Sequence, residues 1–70
     1  MKIHFNKQIT VEFVKDSDEH EGFFVEHDKT FYSNQVMEVN NVTETIRGFV
    51  DLVFDDGIAV GVPKQNITIM

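Results

Sequence analysis

The sequence predicts a mostly β fold: a small single-domain barrel, or a strongly bent antiparallel sheet, of about five or six short strands. Three observations carry this expectation. Residues 3 to 13 alternate with period two, placing Ile3, Phe5, Ile9, Val11 and Phe13 at odd positions and His4, Gln8, Thr10 and Glu12 at even ones. The last third holds two runs of β-branched and aromatic residues separated by Asp55-Asp56-Gly57, a hairpin signature. Seventy residues are too few to divide burial between two cores, so 1–70 is expected to form one domain.

Residues 2 to 14 read as β, either one long strand or two joined at Asn6-Lys7, with the odd face buried. The stretch Lys15 to Glu21 has no apolar residue and clusters turn formers, so it is expected to be an exposed acidic loop carrying Asp16, Asp18, Glu19 and Glu21. Phe23 to His27 and Thr30 to Ser33 then fit a hairpin turning at Asp28-Lys29. In that register Phe23, Val25 and Tyr32 share one face, and Phe24, Glu26 and Phe31 the other.

Residues 36 to 47 carry mixed signals. Val36, Val39, Val42 and Ile46 recur at roughly helical spacing, and Asn41-Val42-Thr43-Glu44 has the form of a capping box with Gly48 as a stop. The β-branched Val42, Thr43, Thr45 and Ile46 favour extended backbone. A strand or irregular segment is expected, with a short helical turn near 41–47 as the alternative.

In the final hairpin, spanning 48 to 62, a three-residue loop at Asp55-Asp56-Gly57 pairs Phe54 with Ile58, Leu52 with Val60 and Val50 with Val62. That register gathers all six large apolar residues on one face and calls for left-handed backbone at Gly57. Pro63 cannot donate to a ladder and is expected to end the strand. Lys64-Gln65-Asn66 then turns the chain into a short last strand, Ile67-Thr68-Ile69.

The run Gly48-Phe49-Val50-Asp51-Leu52-Val53-Phe54-Asp55-Asp56-Gly57, followed by Val60, Val62-Pro63 and Ile67, resembles the central hairpin and closing turn of SH3-like barrels of the Tudor and KOW kind. The resemblance covers about a third of the chain. It implies a fold and carries no function across. The acidic balance departs from the RNA-binding members, and the aromatic cage of Tudor-type recognition is not assigned here.

Twelve acidic residues against six basic ones give a net charge of −6. That charge disfavours direct binding to nucleic acid or anionic lipid and favours approach to a basic protein surface. The absence of cysteine rules out disulfides and Cys-ligated zinc. No apolar run reaches membrane-spanning length, and the start Met1 to Lys7 lacks the apolar core of a signal peptide, so a cytoplasmic location is expected. The sequons Asn41-Val42-Thr43 and Asn66-Ile67-Thr68 are read as chance matches.

Little in the chain points to chemistry. His4, His20 and His27 with Asp16, Asp18 and Glu19 match no metal-ligand spacing. Asp16-Ser17-Asp18 begins like a calcium loop, but Glu21 stands where Gly is needed and His27 where a bidentate Glu belongs. There is no nucleophile elbow and no phosphate-cradling loop, so no catalytic residue, cofactor or metal is assigned.

Adjacent aromatics in expected strands must face opposite ways, which leaves one apolar face without a partner. The expected function is therefore non-enzymatic interaction with a protein partner bearing a basic surface. Its candidate residues are Phe24, Phe31, Tyr32 and Phe49, rimmed by Glu26 and Asp51, together with the acidic loop residues Asp16, Asp18, Glu19 and Glu21. Size and charge suggest, by analogy, the small inhibitors with which phage and mobile elements block host factors, anti-CRISPR proteins included. The alternative is a structural or homo-oligomeric small-barrel subunit, or an adaptor binding a peptide along a sheet edge.

Overall fold

The alternating N-terminal segment breaks where its polar run Asn6-Lys7-Gln8 interrupts the apolar positions. The structure, a computed structural model, describes residues 1–16 and 24–70. In it, β1 (Lys2–Phe5) and β2 (Ile9–Asp16) are separate strands lying in different sheets. The odd face is buried as expected: Ile3, Phe5, Val11 and Phe13 all lie in the core.

The remaining strands are β3 (Phe24–Phe31), β4 (Val36–Glu38), β5 (Asn41–Ile46), β6 (Phe49–Phe54), β7 (Gly57–Pro63) and β8 (Ile67–Ile69), with a 3₁₀ turn at Lys64–Asn66 before β8. They form two antiparallel sheets, a five-stranded one ordered β3-β2-β7-β6-β5 and a three-stranded one ordered β4-β1-β8. The mostly β expectation holds, with eight strands among the described residues where five or six were expected. The sheets do not close into one barrel there, because β3 and β5, and β4 and β8, each have a neighbour on one side only.

Residues 41–46 are strand, and the helical alternative fails. Val42 pairs with Leu52 and Glu44 with Val50 across β6, so the β-branched run follows its strand preference. Gly48 does not stop a helix; at φ +87° it completes the Arg47-Gly48 turn between β5 and β6.

The Asp28-Lys29 hairpin is corrected as well. β3 is one continuous strand, with Asp28 opposite Glu12 and Lys29 opposite Val11. The chain turns later, at Tyr32-Ser33-Asn34-Gln35, where the Gln35 N–H donates to the Tyr32 carbonyl at 3.0 Å and Asn34 takes a positive φ of 68°. This register sets Phe31 opposite Ile9 and turns it inward, so Phe31 is fully buried and is no surface residue.

The last hairpin forms with a different register from the one expected. Phe54 pairs with Gly57, Val53 with Ile58 and Leu52 with Ala59, leaving a two-residue turn at Asp55-Asp56. Gly57 does not have a positive φ. Its need for glycine is steric: a Cβ there would lie 2.5 Å from Phe13 Cε1 and 2.6 Å from the Val14 carbonyl oxygen. A bulge at Val60-Gly61, with Gly61 at φ +72°, then returns Val62 to its expected place opposite Val50. Consequently Ile58 and Val60 stand outside, while Ala59 and Val62 enter the core. Pro63 ends β7 and Ile67–Ile69 forms the last strand, as expected.

The two sheets enclose one core of Ile3, Phe5, Val11, Phe13, Phe31, Val39, Val50, Leu52, Phe54, Ala59, Val62 and Ile67. An aromatic file runs through it, with Phe5 stacked on Phe31 and Phe31 on Phe54. The Lys29 ammonium closes its open side, 4.4 Å from the Phe13 ring centre.

Candidate functional site

The shifted hairpin register creates the most distinctive surface of the molecule, on the outer face of the five-stranded sheet. Directly paired residues share a face in an antiparallel sheet. Glu26, Val14, Ile58, Val53 and Asn41 therefore make one row across the strands, since they pair successively from β3 to β5. Asp28, Glu12 and Val60 make the next, which Asp51 and Thr43 extend beyond the bulge. Toward the other end Phe49 stands opposite Ile46.

The centre of this face is apolar and open. Phe49, Ile58 and Val60 are 43%, 38% and 37% exposed, Ile46 is more so, and Val14 and Val53 are half-buried between them. Its margins are polar: Glu26 and Asp28 on β3, Asn41 and Thr43 on β5.

Four acids stand on this face, Glu12, Glu26, Asp28 and Asp51, and the rows contain no base. The ion pairs among the described residues lie elsewhere, between the Met1 ammonium and Glu38 and between Lys64 and Glu44. A hydrogen bond shared with Glu26, the charge of Glu26, partial desolvation and the charge of Asp28 raise the pKa of the Glu12 carboxyl above its ordinary value. Asp51 accepts a hydrogen bond from the Gly61 N–H at 3.2 Å, which ties its carboxylate to the bulge.

The residues singled out from sequence are only partly assembled here. Phe49 and the rim residues Glu26 and Asp51 lie on the face. Tyr32 is 59% exposed but belongs to the turn after β3, outside the rows. Phe31 is core. Asp18, Glu19 and Glu21 lie outside the described residues; of Asp16 and Phe24 only the backbone is described, and these two pair at the ends of β2 and β3.

Val53 lies on the face opposite the hairpin's buried residues, as its alternation with Leu52 and Phe54 predicts, whereas Val14 is not predicted there and Ile58 and Val60 are expected to point inward. A usable signal was the pair of small residues Gly57 and Ala59, whose spacing marks the crowded inward positions of β7.

Elsewhere a concavity of about 510 Å³ opens between β5 and β8. Met1, Val42, Val50, Ile67 and Ile69 line it, and Lys64 Nζ donates to Glu44 Oε2 at 3.0 Å beside it. No three His, Asp or Glu among the described residues are grouped to hold a metal ion. Comparison with family models, characterised proteins and solved structures finds no match for this chain.

Proposed function

We propose that this chain is a non-enzymatic interaction protein that docks onto a basic protein surface through the outer face of its five-stranded sheet. The observation that carries the reading is the apolar centre Val14, Ile58, Val53, Val60 and Phe49 set among acids. Interfaces typically combine an apolar middle with a polar rim, and complementary charge speeds encounter and selects the partner. The net charge of −6 acts in the same direction at longer range. Inhibition of a host factor, in the manner of small phage proteins, is the particular form of this reading that size and charge favour.

A second reading, peptide addition or subunit association along a sheet edge, is favoured by one observation: among the described residues β5 and β8 each pair on one side only, and they flank the same apolar groove. Affinity capture from the source lysate separates the two. Under the first reading, Val60→Glu abolishes retention of the partner and Ile69→Lys leaves it intact. The reverse pattern would establish edge binding instead.

A further inference from the structure

We infer that the partner presents an amphipathic helix whose apolar stripe is flanked by Lys and Arg, laid along β6 and β7 on the outer face. This inference rests on the docking face just described and specifies what it receives. The first support is width. The apolar centre spans β2, β7 and β6, two inter-strand spacings or about 10 Å, which is the diameter of a single helix, about 10–12 Å. Polar residues bound it on both sides along the rows of Val53 and Asp51, Glu26 and Asp28 on β3 and Asn41 and Thr43 on β5, and it reaches β5 at Ile46, opposite Phe49. A partner sheet would need an apolar face extending over those margins.

The second support is length. From Val53 to Phe49 the strand advances about 13 Å, or roughly two and a half helical turns. Anchors at i, i+3 or i+4, and i+7 would follow that path.

The third support is charge. Glu12 on β2 and Glu26 and Asp28 on β3 lie to one side of β6 and β7, while Asp51 stands on β6 between Val53 and Phe49 with its carboxylate tied to the Gly61 N–H; a helix would place its basic residues, a turn apart, along the flank of β2 and β3. A second copy of this chain is the poorer occupant, because the rows of this face offer no base to pair with its acids.

The probe is a synthetic peptide of about 18 residues, long enough to be helical alone, with Leu on one face and Lys on both borders of that face. Amide shifts in ¹⁵N spectra should change at Glu12, Val14, Val53, Ile58 and Val60. Val60→Glu should abolish the changes while its own spectrum stays folded. The triple variant Glu12→Gln, Glu26→Gln, Asp28→Asn should weaken binding about tenfold or more at low salt and flatten its salt dependence.

Equal binding by a scrambled peptide of the same composition, or by one with Glu in place of Lys, would overturn the inference. So would shifts centred on Val42, Ile67 and Ile69, or a dimer in light scattering that Val60→Glu dissolves. The two levels of the reading fail separately. If a captured partner needs Val60 while no helical peptide binds, docking on this face stands and the helix is wrong; if capture ignores Val60→Glu, the docking face itself is wrong.

Discussion

The ring of Phe5 lies flat on that of Phe31, with centroids 4.4 Å apart and planes 4° from parallel. Phe5 belongs to the three-stranded sheet and Phe31 to the edge strand of the five-stranded one, so this contact joins the two layers across the core. Phe31 continues the stack to Phe54 at 5.8 Å. Backbone bonds reinforce the joint, since the Phe5 N–H donates to the Gln35 carbonyl at 2.9 Å and the Asn34 N–H to the Phe5 carbonyl at 2.7 Å.

Phe31→Ala should therefore lower stability by about 3–5 kcal/mol, the usual range for a buried phenylalanine. Tyr32→Ala, one residue on and exposed, should change it by no more than about 0.5 kcal/mol. Urea denaturation of both variants is the check, and equal midpoints would show that Phe31 does not hold the sheets together.

Two glycines of β7 should respond differently to the same substitution. Gly57→Ala drives a methyl group into the Phe13 ring and the Val14 carbonyl, and overpacking of this kind typically destabilises by about 1–3 kcal/mol. Gly61→Ala meets nothing within 4 Å and is strained only by its positive φ, so about 1 kcal/mol is expected. Gly61→Asn should recover part of that loss, since Asn tolerates left-handed backbone, whereas Gly57→Asn should recover nothing. Thermal melts of the four variants test the distinction.

Lys29 Nζ lies 4.4, 5.6 and 5.7 Å from the ring centres of Phe13, Phe31 and Phe54. Lys29→Met keeps much of the apolar stem and removes the charge, and should lower stability by about 0.5–2 kcal/mol. Lys29→Arg should retain most of it. If Met is as stable as Lys in denaturant titrations, the cation contributes nothing there.

Glu12 sets the sign of a pH effect. Its proton is held more tightly in the folded protein than in the unfolded chain, so its contribution favours folding at low pH and is lost as pH rises through the raised value. Glu12→Gln removes the repulsion from Glu26 and Asp28. It should raise the melting temperature at neutral pH, with the gain shrinking as the solution is acidified into the carboxylate range. A gain that persists unchanged into acid would point to a cause other than charge.

Much of the architecture was legible because burial on one sheet face writes a period of two, as in Ile3, Phe5, Val11 and Phe13, and because Pro63 must end a strand. β3 was misread for a definite reason. Register places His27 and Lys29 at inward positions of this edge strand, where they pack on the Phe13 ring instead of filling apolar space. Polar residues at such positions erase the alternation and make Asp28-Lys29 look like a turn. The last hairpin was misregistered because maximising the number of large residues inside ignores their volume. Phe13 leaves no room beside it for a Cβ at 57 and pairs directly with the buried Ala59, and the bulk of Ile58 and Val60 became the outer face. Charge and composition pointed toward a protein partner, but the position of the face depended on a one-residue shift and a bulge.

The pairing of β1 with β8 also constrains how the protein is made. Ile3 and Phe5 lie opposite Ile69 and Ile67, and the Met70 N–H donates to the Lys2 carbonyl at 2.9 Å. The central strand of the smaller sheet is thus synthesised well before β8, one of its two neighbours. Contacts of such sequence separation slow folding, because a long loop must close before they form. During translation Ile3 and Phe5 remain incompletely covered until Ile67 and Ile69 emerge, so chaperone engagement and aggregation of nascent chains should depend strongly on whether translation has passed Ile69.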